Sequence, residues 1–175
     1  GRLASLYDKS KNQELLFDNP VFQPANLALR NAWFSGGIEW NGPIPGHTTL
    51  TCSPIYFAKI KIKGQDILRI YEYDRMLNST WQVDFYLPEN SSKLWYHVTA
   101  RNLNKEEIPF YWWTNIATPL NKKTRFLTPA DRALGHSRDE LDTYPWPIEK
   151  NIDISYPEKS QHVISLFYIN PKSNI

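Results

Sequence analysis

The sequence predicts an all-β fold, most simply an antiparallel β-sandwich. Three observations carry that prediction. Apolar residues recur at period two along several segments, which sets successive side chains on opposite faces of a sheet. The connections between those segments are short, which favours an antiparallel meander over parallel units with crossover helices. Helical signals are weak: Ala25 to Trp33 contains good helix formers, but Pro24 precedes it and Gly36-Gly37 follows, leaving room for about two turns.

Taken in chain order, Leu3 to Tyr7 and Leu15 to Phe17 read as small strands joined across Asp8-Lys9-Ser10-Lys11-Asn12. From Tyr56 to Lys63, Tyr56, Ala58, Ile60 and Ile62 share one face while Lys59, Lys61 and Lys63 share the other, the pattern of a half-buried strand. Gly64-Gln65-Asp66 supplies a turn, and Ile67 to Arg75 is the return strand of a hairpin. After the turn-like Leu77-Asn78-Ser79-Thr80, residues Trp81, Val83, Phe85 and Leu87 alternate with Gln82, Asp84 and Tyr86, the cleanest strand pattern in the chain. Leu94, Tyr96, Val98 and Ala100 then alternate with Trp95, His97, Thr99 and Arg101. Phe110 through Ala117 carries bulky residues at both parities, as expected of a strand buried on both faces. Further strands are expected at Thr124 to Thr128 and His162 to Ile169, with Pro129 to Pro157 an ordered loop between them. No internal repeat is evident.

A length of 175 residues fits one domain spanning residues 1–175. Hydrophobic residues make up 41% and charged residues 22%, so a sizeable core is available and the signature of disorder is absent. Twenty Lys and Arg against eighteen Asp and Glu leave a net charge of +2, too weak a field to suggest a nucleic-acid or membrane partner. The single cysteine, Cys52, leaves no intrachain disulfide and no cysteine zinc cluster, which fits a reducing, cytoplasmic location. No stretch reaches the ~18 apolar residues of a membrane span, and Gly1-Arg2-Leu3-Ala4 lacks the apolar core of a secretion signal. Because residue 1 is Gly and Met76 is the only methionine, the expectation is a piece of a longer protein.

The chemistry-bearing residues cluster in one stretch. Between Arg30 and His47 the chain gathers Arg30, Asn31, Trp33, Glu39, Trp40, Asn41 and His47, separated by Gly and Pro. Sugars require this mixture: hydroxyls need donors and acceptors in fixed directions, and the apolar faces of pyranose rings need a flat hydrophobic partner. The competing reading is a Gly/Pro-rich loop whose tryptophans plug the core and whose polar groups satisfy buried backbone. A second candidate is Tyr111-Trp112-Trp113-Thr114-Asn115, where Trp112 and Trp113 point to opposite sides of a strand, so one at most meets a ligand. The four histidines, His47, His97, His136 and His162, show no metal-ligand spacing, so no metal is expected. His47, near Glu39, suits acid–base work or a hydroxyl contact. Glu39 with Asp84 or Glu72 could form a glycosidase pair, but no spacing selects it. The absence of a GxSxG, a P-loop and a GxGxxG leaves no nucleophile motif and no nucleotide cradle, and no cofactor is implied.

The run from Pro20 to Asn41 (PVFQPANLALRNAWFSGGIEWN), together with Gly46-His47-Thr48, Asp84 to Pro88 (DFYLP), Tyr111 to Ala117 (YWWTNIA) and Pro129-Ala130-Asp131, resembles an uncharacterised bacterial domain that often precedes tetratricopeptide repeats. The similarity runs to about His136. That domain is grouped with galactose mutarotase-like proteins, whose two-layered antiparallel supersandwich binds sugars on a concave face. The resemblance therefore implies a sugar-binding sandwich of which this chain is the N-terminal part. In the sugar epimerases of the superfamily a GGIPxCWP segment is followed by an active-site histidine; Gly36 to Asn41 and His47 look similar. Their second histidine, the general acid, sits in a TNHxYF strand, where this chain has Thr114-Asn115-Ile116-Ala117-Thr118. An isoleucine transfers no proton. Their glutamate base has no match in this chain.

Three functional readings follow. The first is a carbohydrate-binding sandwich without complete catalytic machinery, in which Trp33, Trp40 and Trp112 offer stacking surface and Arg30, Asn31, Glu39, Asn41, His47 and Asn115 fix hydroxyls. The second is an aldose epimerase-like or other sugar-active enzyme using His47 and Glu39. The third is a non-catalytic module that presents its surface to an adjacent tetratricopeptide repeat domain. If the sheet is only part of a larger one, an unfinished edge also leaves pairing between copies of the chain open.

Overall fold

The computed structural model describes residues 1–21, 35–43, 46–51, 53–135, 143–160 and 164–165. Among these residues the protein is an all-β structure without α-helix, and every strand pairing is antiparallel. The chain divides into two compact units, Gly1–Thr118 and Pro119–Ile175. The expected helix over 25–33 lies outside the described residues.

The first unit contains β1 (Arg2–Leu3), β2 (Tyr7–Asp8), β3 (Gln13–Glu14), β4 (Ile38–Asn41), a 3-10 turn at Thr49–Thr51, β5 (Tyr56–Ile62), β6 (Gln65–Asp74), β7 (Ser79–Tyr86), β8 (Trp95–Asn102) and β9 (Trp113–Ile116). Strands β5 to β8 form a four-stranded meander in sequence order, as the short connections require. The β5–β6 turn is built by Lys63 and Gly64, whose φ values of 50° and 81° supply the left-handed backbone that matches strand twist in a two-residue hairpin. Period-two alternation in β7 becomes a buried face of Ser79, Trp81, Val83 and Phe85. The second sheet has the order β1-β4-β9. Between the two sheets lies one core, with Ile38 and Trp40 from β4 packed among Trp81, Val83, Phe85 and Leu16. The indole of Trp40 meets Phe85 edge-on at 5.5 Å and Tyr96 at 4.9 Å. This is sandwich packing, with side chains of two inner faces meeting in one layer.

The hairpin β2–β3 is closed by a carboxylate. Glu14 Oε1 accepts from the backbone amides of Leu6, Leu15 and Leu16, and Oε2 accepts from Ser5 Oγ at 2.6 Å. These hydrogen bonds, that from Ser5 foremost, hold the Glu14 carboxyl below its usual range.

The structure differs from several expectations. In β5 the expected alternation holds, with Ala58 and Ile60 half-buried and Lys59 and Lys61 exposed, but that face is turned from the sandwich core, because Tyr56 pairs with Tyr71 while the inward Val83 pairs with Ile70, and Ile70 with Phe57. As an edge strand β5 sends no residue into the core cluster. The expected doubly buried strand at 110–117 is shorter, Trp113–Ile116, and lies at a sheet edge where Asn115 and Ile116 are exposed. The stretch Ile38–Asn41, read as loop, is a central strand with all four residues buried.

Further corrections concern the second unit, which holds β10 (Arg132–Gly135), β11 (Thr143–Pro145), β12 (Ile148–Glu149), β13 (Ile152–Asp153) and β14 (Ile164–Ser165). The segment expected to be loop therefore contains four short strands; the sheet order is β11-β10-β14, with a separate β12–β13 hairpin. Trp146, Ala133 and Ile154 form a small core, with Tyr144 packed against it. Thr124 to Thr128 forms no strand; Phe126 N donates to Ser155 O at 2.8 Å and Arg125 Nε to Ser155 Oγ at 2.9 Å. Of His162 to Ile169, only β14 lies within the described residues.

Candidate functional site

The site is built on the face of the β1-β4-β9 sheet opposite the core. With Ile38 and Trp40 turned into the sandwich, strand geometry sends Glu39 and Asn41 the other way. Register then decides their neighbours: Arg2 and Glu39 are paired across β1–β4, and Glu39 and Asn115 across β4–β9. One row across the sheet therefore reads Arg2, Glu39, Asn115, and the next carries Asn41 opposite Trp113. Directly opposed side chains in such rows are within contact distance.

Glu39 is 1% exposed. A carboxylate so buried persists only when its oxygens are paired, and four side chains converge on this one. Oε2 faces Arg2 Nη2 at 2.9 Å, and Arg2 Nη1 also donates to the Gly36 carbonyl. Oε1 accepts from Asn41 Nδ2 at 3.0 Å and Asn115 Nδ2 at 2.5 Å, and lies 2.8 Å from His47 Nδ1. The histidine comes from the connection after β4. That segment folds back because Thr48 N donates to Asn41 Oδ1 at 3.0 Å and Trp113 Nε1 donates to the Gly46 carbonyl at 3.3 Å. The left-handed backbone at Gly46, φ 99°, permits the bend. The His47 ring then tilts against Trp113 with centroids 4.7 Å apart.

The arrangement is a fixed polar hub rather than an open acid–base pair. With Oε1 shared by three groups and Oε2 held by Arg2, Glu39 orients its neighbours. Nδ1 of His47 is directed at the carboxylate, a contact that fixes the orientation of the ring. Asn115 is exposed while its amide nitrogen donates to Glu39.

Of the residues expected at the site, Glu39, Asn41, His47 and Asn115 are brought together. Trp40 is not among them: at 0% exposed it is a central core residue, because Ile38 and Trp40 share the parity of β4 that faces the other sheet. Trp112 likewise packs against the core, 6.3 Å from Trp81, with its ring beside the Cα of Gly42. The indole beside His47 is Trp113, the other member of the pair. Asn41 is wholly buried and acts within the hub. Arg30, Asn31 and Trp33 lie outside the described residues, as do His136, His162 and Cys52. Arg2 was not anticipated, since nothing near it in the chain signals a site; only the β1–β4 register brings it to Glu39. Among the described residues no group of three His, Cys, Asp or Glu side chains is placed to hold a metal ion, and no helix is long and apolar enough to cross a membrane.

An antiparallel β-sandwich bearing a buried polar hub on one sheet is the class of protein that these observations define. The chain belongs to the family described as "Domain of unknown function (DUF5107)", whose profile matches residues 1–169 and so spans both units. Among solved structures it is similar in fold to a TPR-domain containing protein from Parabacteroides distasonis ATCC 8503, with 22% identity and a TM-score of 0.72. That match covers 87% of this chain and 26% of the other, so the chain corresponds to about a quarter of the neighbour's length.

Proposed function

We propose that the chain is a carbohydrate-binding β-sandwich domain of the galactose mutarotase-like type, acting without complete catalytic machinery. The observation that carries this reading is the Glu39 hub: a buried carboxylate that holds Arg2, Asn41, His47 and Asn115 in fixed directions beside an indole. Sugar recognition needs hydrogen-bonding groups whose orientation is set before the ligand arrives, and a carboxylate with four partners provides that rigidity. The exposed Asn115 amide and the His47 ring, 14% exposed, supply hydroxyl contacts, and Trp113 supplies the flat apolar surface. The resemblance to the mutarotase-like GGI segment supports the same place on the chain, and the fold neighbour supports a position beside tetratricopeptide repeats in a longer protein.

A sugar-transforming activity is the second reading, favoured by the 2.8 Å contact between His47 and Glu39. The first is preferred because the Glu39 oxygens are already engaged and Ile116 stands where the general acid of the epimerases belongs. Calorimetric titration with a panel of monosaccharides separates the outcomes. Saturable heat that is lost in Asn115→Ala and Trp113→Ala supports the binding reading; no saturable heat at millimolar sugar removes it. Polarimetry of anomer interconversion above the buffer rate, abolished by His47→Ala, establishes the enzymatic reading instead.

A further inference from the structure

The four-stranded sheet carries a second feature, remote in register from Glu39. Because Trp81, Val83 and Phe85 face the core, Thr80, Gln82 and Asp84 face outward, and pairing extends that outward face across the sheet. One row reads Tyr56, Tyr71, Gln82, Thr99; the rows beside it place Tyr73, Thr80 and Arg101 on one side and Arg69, Asp84 and His97 on the other. All of these except Asp84 and His97, which stand outside the lining, line a groove of about 440 Å³, within the roughly 300–1,000 Å³ range of small-molecule sites.

We infer that this groove is a binding site for a neutral oligosaccharide. Tyr56 and Tyr71 are stacked, ring centroids 5.7 Å apart and planes 24° apart, and are 63% and 39% exposed, so flat apolar surface is presented at one end. Tyr73, 43% exposed, presents a third ring and is anchored by its hydroxyl, which donates to Asn78 Oδ1 at 2.6 Å. Between and beside the rings stand hydroxyl and amide groups of Thr80, Gln82 and Thr99. Their setting is rigid: Arg69 holds Asp84 by two bonds of 2.7 and 2.8 Å, and Gln82 Nε2 donates to Asp84 Oδ2 at 3.1 Å. Arg69 is neutralised by Asp84 from outside the lining and Glu72 stands against Arg101 within it, so the groove offers little field for a phosphate, a nucleic acid or an acidic peptide. Flat rings on β5 and β6 beside neutral hydrogen-bonding groups on β7 and β8 match a chain of pyranose rings, each with an apolar face and an equatorial rim of hydroxyls.

The test is a titration of the whole chain with cellohexaose, xylohexaose, mannohexaose and maltohexaose, read by calorimetry and by amide and aromatic NMR shifts. At least one hexaose is expected to give saturable shifts confined to β5–β8. Tyr71→Ala and Tyr56→Ala should weaken that binding by roughly tenfold, about the energy of one aromatic contact. Glu39→Gln should leave it within about twofold, since its contacts are elsewhere, so failure of the Glu39 reading and failure of this one are separable. The inference is overturned if none of the four hexaoses binds, if shifts map outside the groove, if Tyr71→Ala binds as wild type with unchanged Tm, or if the tyrosine face proves to be covered by self-association of the chain.

Discussion

Removing the Glu39 carboxylate is the sharpest perturbation of the first unit. Glu39→Ala leaves the Arg2 guanidinium, whose side chain is 9% exposed, without its carboxylate, and deprives Asn41, His47 and Asn115 of a common acceptor. Breaking a buried pair by deleting one partner costs about 3–5 kcal/mol, because the remaining charge stays desolvated. For a chain of this length each kcal/mol lowers Tm by about 2–4 °C, so a fall of roughly 6–20 °C is expected. Glu39→Gln keeps the shape and one carbonyl acceptor but turns an NH₂ toward donors, and should lie between wild type and Ala, at about 1–3 kcal/mol. The assay is thermal unfolding by circular dichroism with parallel urea titration, using Arg2→Met in both backgrounds to close a double-mutant cycle. If Glu39→Ala shifts Tm by less than about 2 °C, the carboxylate is not the buried hub described, and the argument from its partners fails.

Trp40 and Trp113 should separate by readout. Trp40→Ala is expected to cost about 3–5 kcal/mol through the cavity left beside Phe85 and Tyr96, whereas Trp113→Ala should cost less and alter sugar titration; equal denaturation midpoints for the two would refute the division. Two glycines provide a matched pair: at Gly37, φ 60°, an added Cβ would lie 2.3 Å from the Leu3 carbonyl oxygen, while at Gly64, φ 81°, nothing lies within 4 Å. Gly64→Ala should therefore cost only the left-handed penalty of about 1–2 kcal/mol, and Gly37→Ala distinctly more, as urea midpoints will report. For Glu14 the sign of the pH effect follows from its lowered folded-state pKa. Its contribution is fully present above the usual glutamate range near 4.5 and is lost as pH falls through the lower folded value, so a Glu14→Gln variant should show a shallower acid limb of Tm against pH below that range. Parallel acid limbs would show that the carboxylate makes no such difference.

Much of the fold was legible in the residues themselves. Alternation in β7 named its buried face correctly because a central strand has one solvated side, and the short turns dictated the meander. Legibility failed where both faces or neither face of a strand is buried. Ile38–Asn41 shows no alternation because its apolar residues fill the sandwich and its polar residues fill the hub, so it reads as loop. In β5 alternation is real, with Ala58 and Ile60 half-buried and the lysines exposed, yet it does not name the core face, since this edge strand sends no residue into the core cluster. The short strands of the second unit, two to four residues each, are too brief for any period to register.

The candidate site divides in the same way. The sequence by itself determined that the chain is an antiparallel β protein, that Glu39, Asn41 and His47 lie close along the chain, and that only one of Trp112 and Trp113 can face them. Those conclusions need only local geometry. The tertiary structure decided which indole it is, that Trp40 belongs to the core, and that Arg2 and Asn115 complete the hub from positions 37 residues before and 76 residues after Glu39. Such contacts depend on strand register, and a shift of one residue would exchange every side chain between core and solvent faces. Register is set by the simultaneous packing of both sheets around Trp40, Trp81 and Phe85, a property of the assembled sandwich that no single segment carries.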